Sequence, residues 1–484
     1  MKILFVLKHM NFVRHFAEVV ATLADAGHEV CLACQDGETD AAKEFAGHPR
    51  ITRVTAPRRR SDGLQDYVDL GRRARDYLRY LSPRYADACA LRRRAFTKLI
   101  RGISLDSRPV EDSWSDAFLA LNEGERLRLG RFFERLEATF PSDPGAEAFI
   151  EGHQPDIVLL TPVVDVGTSQ ADWVRAARCT GRPVGMLLFS WDNLSNKGLI
   201  HVVPDRVFVW NELQKREAVE LHGVPPERVT VTGAPRFDPF FRMRPSLDYG
   251  AFCELLGLDE ACPTILYVCS SRFVDARERD FVERWIAEIR VSNDERLGSC
   301  NVVIRPHPVL KGQWESVGQR VVRWKGPDGR KHKAVVAAPF VSERVVSVRS
   351  RLQNADQVLF ECIHHSAAVV GLNTSAEIEA AVVGRPVFTI LEPSRADGQS
   401  GTLHFHYLLK ANGGPVCAAT NFDAHRRQLG EALRGSLDTS AVGRFTESFL
   451  RPAGRNTPAS AVLARAIEQM VPSPDDARTR AVTP

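Results

Sequence analysis

The chain has 484 residues, 44% apolar and 26% charged, with 33 Gly and 28 Pro. That length predicts two domains, each able to bury a core, and the composition excludes collagenous, coiled-coil, disulfide-stapled and wholly disordered proteins. Its 64 Lys and Arg stand against 60 Asp and Glu, a net charge of +4, too small for a nucleic-acid surface spread over the whole protein, so any basic function is local.

In chain order, Ile3 to Leu7 is a continuous apolar run, the pattern of a strand covered on both faces, and a polar loop from Lys8 to Arg14 follows. Phe16, Val19, Val20 and Leu23 recur at helical spacing, Gly27 ends that helix, and Glu29 to Ala33 is the next strand, which completes a βαβ unit. The same alternation resumes at Asp156–Leu160, Gln170–Arg178, Val184–Phe189, Arg206–Trp210, Glu212–His222 and Val229–Thr232. It restarts at Thr264–Cys269, Glu278–Arg290, Asn301–Arg305, Ala367–Gly371, Ser375–Val383 and Pro386–Thr389. The expected architecture is α/β: two doubly wound parallel-sheet domains, residues 1–245 and 246–472, joined near Gly233-Ala234-Pro235. A polar, Pro-rich tail, residues 473–484, is expected to be disordered.

Residues 58–150 interrupt the first domain as a helical insertion, and its stretch 58–101 is strongly basic. It reads either as a solvated helical face or, because Tyr67, Tyr77, Tyr80 and Tyr85 interleave with its arginines, as a surface for anionic lipid or an acidic acceptor. Of ten cysteines only Cys31 and Cys34 are close, with no His cluster to complete a metal site. The expectation is free thiols in a reducing cytoplasm, since the stretch before Lys8 is too short for a signal-peptide core and no run reaches the roughly eighteen apolar residues of a membrane span.

Walker, Gly-x-Gly-x-x-Gly, Gly-x-Ser-x-Gly and His-Glu-x-x-His motifs are absent, which removes kinase, dehydrogenase, hydrolase and zincin chemistry, and no Asp-x-Asp offers metal ligands for a sugar nucleotide. Polar residues instead gather at the carboxyl ends of predicted strands, where open α/β sheets bind ligands. Ser270, Ser271 and Arg272 carry hydroxyls, amides and a guanidinium suited to a phosphate, or else cap a helix. Arg305-Pro306-His307-Pro308 fixes the backbone around His307, as a site residue or as a plain tight turn. Thr374 and Ser375 open a helix whose N-terminus suits a diphosphate, and Glu379 lies one turn further in, placed to accept from ribose hydroxyls; a capping box of Thr374 with Glu377 is the blander reading. The loop from Gln399 to Phe405, with Thr402 and His404, is read as able to close over that site. In the first domain Asp192, His9 and His15 are, in that order, the candidates for a base acting on a hydroxyl.

On these residues the chain resembles the GT-B glycosyltransferase superfamily. Its segment from Leu372 to Val387 looks like the superfamily's donor signature, which implies two Rossmann-like domains, an acceptor domain first and a nucleotide-donor domain second, with Glu379 on the ribose and Thr374 and Ser375 on the diphosphate. His307-Pro308 is similar to the His-Pro motif of Kdo transferases and teichoic-acid glycerophosphotransferases, implying that His307 contacts the nucleotide. Gly233-Ala234-Pro235-Arg236-Phe237-Asp238 resembles a segment of those glycerophosphotransferases and of UDP-N-acetylglucosamine 2-epimerases. The resemblance implies a metal-independent transferase without a cofactor, moving a sugar or polyol phosphate from a CMP-, CDP- or UDP-linked donor to a hydroxyl acceptor, lipid-linked or polysaccharide, in surface or capsular polysaccharide synthesis. Its expected place is the cytoplasm or, through the basic insertion, the inner face of the membrane. Two alternatives stand beside it: a UDP-N-acetylglucosamine 2-epimerase-like isomerase, and a catalytically silent nucleotide-sugar-binding scaffold.

Overall fold

Strand β1 (Lys2–Leu7) buries every residue from Ile3 onward, as a strand must when its sheet is covered on both faces. The computed structural model describes residues 1–35, 45, 47–60, 62–103, 113–307, 321–325, 331–336, 355–435 and 440–471. Beside β1 lie β2 (Glu29–Cys34) and then β3 (Ile51–Thr55); on its other side follow β4 (Ile157–Thr161), β5 (Val184–Leu187), β6 (Arg206–Val209) and β7 (Val229–Val231), every pair parallel. The second sheet repeats this plan around β8 (Thr264–Val268), with β9 (Asn301–Arg305) on one side and β12 (Ala368–Gly371), β13 (Val387–Ile390) and β14 (Val416–Ala419) on the other. Beyond β9 lies β11 (Lys331–Val336), also parallel, and β10 (Val321–Lys325) closes that edge antiparallel to β11. Both sheets are therefore the doubly wound α/β layers expected.

Two compact units result, Met1–Asp238 with Glu447–Pro484, and Pro239–Thr446. This differs from a second domain ending at residue 472. The helix Ala459–Glu468 packs Leu463, Ala464 and Ile467 into the first core, against Ile3, Phe5, Val20 and Leu23. Its apolar stripe announces a buried face but carries no information about which of two sheets it covers. Asp238 pins the returning chain: it accepts from Arg451 (Nη2, 2.6 Å) and from the backbone N–H groups of Ala459 and Ser460. The expected disordered tail, 473–484, lies outside the described residues.

The insertion is helical, with Leu64–Arg79, Cys89–Ile103, Ser113–Ala120, Glu123–Thr139 and the start of Pro144–His153 as its described α-helices. Several of its charges turn inward, although Arg84, Arg93 and Arg101 stay exposed. Arg72 is fully buried and donates to Glu137 (2.7 Å), Asp172 (2.6 Å) and the Thr168 carbonyl (2.8 Å). Asp76, equally buried, accepts from the backbone N–H groups of Gly167 (2.8 Å) and Leu199 (2.7 Å). Arg79 donates to the carbonyls of Leu194, Lys197 and Gly198. Tyr77, Tyr80 and Tyr85 are buried and only Tyr67 is exposed, so the interleaved aromatics form a core rather than a lipid-facing surface. Among the described residues no helix is long and apolar enough to cross a membrane.

Candidate functional site

In each sheet the unit's first strand has its successor on one side and a later crossover strand on the other. The loops leaving β8 and β12 therefore turn to opposite faces, as do those leaving β1 and β4, and a crevice opens between each pair at the carboxyl ends.

In the second unit this topology brings together most of the residues singled out in the sequence. Ser271 is half-buried and Arg272 exposed after β8; Thr374 is half-buried and Ser375 exposed where the helix Ser375–Val383 begins after β12. That helix stops at Gly384, whose φ of +82° suits glycine. Glu379 is buried one turn inside the helix. Arg305, at the end of β9, is buried too; burial lowers its pKa, and Glu379 is near enough for its charge to oppose that shift. His307 is half-buried, and its backbone N–H bonds the Cys269 thiol, which ties the loop after β9 to the end of β8. Pro308 lies outside the described residues.

Three candidates sit behind this surface instead of on it. Ser270 is fully buried, and its N–H is given to the Glu278 carboxylate at 2.8 and 3.0 Å. Thr402 is buried and donates to the Gln399 carbonyl (2.8 Å), while His404, also buried, has its Nε2 at 3.4 Å from Asn373 Nδ2. The segment expected to close over the site is thus packed into the domain, held by Asn373, which also donates to the Gly398 carbonyl (2.7 Å). Asn373 adopts φ +147°, outside the usual range of L-residues, and its Oδ1 is buried with no hydrogen-bond partner among the described residues. An Asn directly after an apolar run that ends in Gly371-Leu372 was the available signal for this residue, because Asn tolerates positive φ better than most.

Two buried carboxyls underlie the crevice. Burial pushes Glu278 up to about 7. Burial, with the Glu278 charge nearby, pushes Glu377 up to about 8 although its Oε2 accepts the Thr374 N–H at 2.9 Å. The capping reading of Glu377 is therefore correct for its geometry, and it removes the Thr374 amide from any phosphate. Glycine at 371 makes the room: a Cβ there would meet Glu377 Oε1 at 2.8 Å. The folded state retains a proton that the unfolded chain, with the ordinary value of 4.5, has already released. Stability from this group is complete below about pH 4.5 and is lost as the pH rises towards 8. Glu377→Gln should accordingly melt several degrees above the wild type at pH 8.5 and merge with it at pH 5. Parallel melting curves across that range would show that Glu377 is charged in the fold.

In the first unit, Lys8 after β1 forms an ion pair with Asp165 after β4, across the β1/β4 crevice. Burial raises the Asp165 pKa, but Lys8, Lys197 and Lys98 outweigh it and hold the carboxyl below its ordinary value. Asp192 follows β5; it accepts from Ser190 Oγ (2.6 Å) and Asn196 Nδ2 (3.3 Å) and lies 3.6 Å from Lys197 Nζ. His9 is exposed and stacks on Phe12 at 6.1 Å. His15 lies between Phe12 and Phe189 with a buried, unpartnered Nδ1 among the described residues. Burial, with Arg14 and Arg236 adding to it, holds His15 well below the ordinary imidazole value. Lys98 and Lys197 gave no local signal in the sequence, because a lysine in a helix or loop announces nothing until the fold gives it neighbours.

Two Rossmann-like parallel-sheet domains in one chain define the class: the fold is of GT-B type. No known protein family and no curated protein matches the chain by sequence. Among solved structures it is similar to HepE from Anabaena, crystallised in complex with UDP, with a TM-score of 0.50, 10% identity, and coverage of 97% of this chain and 100% of that one. It is also similar to a putative UDP-N-acetylglucosamine 2-epimerase from Listeria monocytogenes (TM-score 0.49, 13% identity, 97% and 96% covered) and to a glycosyltransferase from Rickettsia africae (TM-score 0.49, 9% identity, 97% and 98% covered). At this identity the likeness to HepE bears on the fold alone.

Proposed function

We propose that the protein is a glycosyltransferase that takes a UDP-linked donor on its second unit and a hydroxyl acceptor on its first. The observation that carries the proposal is the gathering of Ser271, Arg272, Thr374, Ser375, Arg305 and Glu379 around the β8/β12 crevice. The amides of the first helical turn beyond Thr374, together with Arg272 and Arg305, would receive the diphosphate and stabilise the charge that develops on the leaving group; Glu379 would accept from the ribose. His307 would contact the base. Uridine is chosen over cytidine because HepE, of the same fold, was crystallised with UDP. The reading needs no metal and no cofactor. Its proposed setting is the building of surface or capsular polysaccharide.

Asp192 is the proposed base for the acceptor hydroxyl. His15 is less suited, since burial disfavours the protonated form it would have to adopt. Transfer is favoured over 2-epimerisation by the state of the first unit's carboxylates. Abstracting a carbon-bound proton from the sugar needs a strong base, and Asp165 is held below its ordinary pKa by lysines. A hydroxyl grows acidic as its new bond forms and can yield its proton late to a weak base. The test is mass spectrometry of purified protein with UDP-linked sugars and a panel of alcohols, in the presence of chelator. UDP released only when an alcohol is present, with matching glycoside, is the expected result. Isomerised UDP-sugar formed without acceptor would replace the reading with an epimerase, and binding without turnover would replace it with a scaffold.

A further inference from the structure

Four cations from segments distant in the chain converge on the β1/β4 crevice of the first unit. Lys8 leaves β1; Arg94 and Lys98 stand one turn apart on the helix Cys89–Ile103; Lys197 follows the short helix Asn193–Asn196. They face two carboxylates, Asp165 and Asp192. Lys8 is paired with Asp165, and Lys197 lies beside Asp192. Lys98 is half-buried, and among the described residues its ammonium makes neither a salt bridge nor a hydrogen bond. Burial lowers its pKa, Asp165 opposes that shift, and the charges of Arg94, Lys8 and Lys197 add to it.

Lys98 is kept half out of water beside three like charges, and Asp165, the carboxylate whose ionised form it helps to hold, is already paired with Lys8, so among the described residues its ammonium has no counter-charge of its own. The supports around it are firm. Arg94 donates to the Asn196 carbonyl, Arg79 and Tyr80 donate to the Lys197 carbonyl, and Asp76 holds the backbone of Gly167 and Leu199. The loops carrying Lys197 and Asp165 are thus fixed before any ligand arrives, which is how a binding site avoids the entropy of ordering itself.

We infer that this crevice is an oxyanion site for the acceptor, and that the acceptor carries a phosphoryl group beside the hydroxyl it offers. The inference rests on the transferase reading for the word acceptor only. Among the described residues these four cations stand against two carboxylates, an excess of positive charge that a phosphomonoester, with a charge of about −1.5 to −2 at neutral pH, matches better than a carboxylate does. Lys98 would then be the cation that the phosphoryl group completes.

Calorimetric titration with phenyl phosphate as the probe tests this, with benzoate, phenyl β-glucoside and UDP titrated in parallel. Wild-type protein should bind phenyl phosphate and take benzoate or the glucoside about tenfold more weakly or worse. Lys98→Gln should lose about tenfold or more in phenyl phosphate affinity while its UDP affinity stays within about twofold, and Lys98→Arg should retain both. Since Lys98 stands among like charges, Lys98→Gln should melt no lower than the wild type. Equal phenyl phosphate binding by wild type and Lys98→Gln would overturn the inference, as would benzoate binding equal to phenyl phosphate. UDP displacing the probe would do the same, by assigning the cluster to the donor. Failure of the donor reading shows separately, as absent UDP binding in wild-type protein that still takes phenyl phosphate in the Lys98-dependent way.

Discussion

Asp76→Ala is expected to destabilise the first unit by about 3 kcal/mol or more and to abolish turnover. The side chain is fully buried and takes two backbone N–H bonds, from Gly167 at 2.8 Å and Leu199 at 2.7 Å, with His201 Nε2 at 3.1 Å. Alanine leaves both part-buried amides without their acceptor, and each such loss costs about 1–3 kcal/mol. The two amides belong to the loops that carry Asp165 and Lys197, so the damage reaches the β1/β4 crevice even where the fold survives. Urea denaturation reads the first effect, and phenyl phosphate affinity at low temperature, where the variant remains folded, reads the second. A variant within about 1 kcal/mol of the wild type with unchanged affinity would mean that the insertion does not hold these loops.

Glu379→Ala is expected to weaken UDP binding more than tenfold. A hydrogen bond between a buried carboxylate and ribose hydroxyls is worth roughly 1.5–3 kcal/mol, and about 1.4 kcal/mol already corresponds to tenfold. Glu379 also acts on Arg305, so its removal leaves a buried guanidinium less compensated. Glu379→Gln separates the two effects, since it keeps a hydrogen-bond acceptor and loses the charge. Calorimetry with UDP measures both variants, and full affinity in a folded Glu379→Ala would remove Glu379 from the donor site.

The alternation of strands and helices was legible because a two-sided strand writes itself as an unbroken apolar run. Glu212–His222, Glu278–Arg290, Asn301–Arg305 and Ser375–Val383 coincide with observed elements. The strand β3 was missed because at the sheet edge both of its faces are open, with the successive residues Thr52 and Arg53 exposed, so no unbroken apolar run forms. The final helix was read into the second domain because amphipathicity does not name its partner. At the site, loop residues at strand ends were legible from the topological rule, whereas inward and outward positions were not. Ser270, Thr402 and His404 have the same chemistry as Ser271, Thr374 and His307, and only the backbone path sends the first three inside. The arginines of the insertion show the same limit. A charge run reads as a solvated face until the fold supplies Glu137 and Asp172 for Arg72, and backbone carbonyls for Arg79.

The central claim, a uridine nucleotide site on the second unit that works without a metal, is tested most directly by thermal shift of the wild-type protein against UDP, CDP, CMP, GDP and ADP in chelator. A ligand that binds only the native state stabilises it by about 2.7 kcal/mol at one hundred times its dissociation constant, so a true donor nucleotide should raise the melting temperature by several degrees. The account predicts a shift with UDP that exceeds all the others and disappears in Glu379→Ala. No shift with any of the five at millimolar concentration would contradict it.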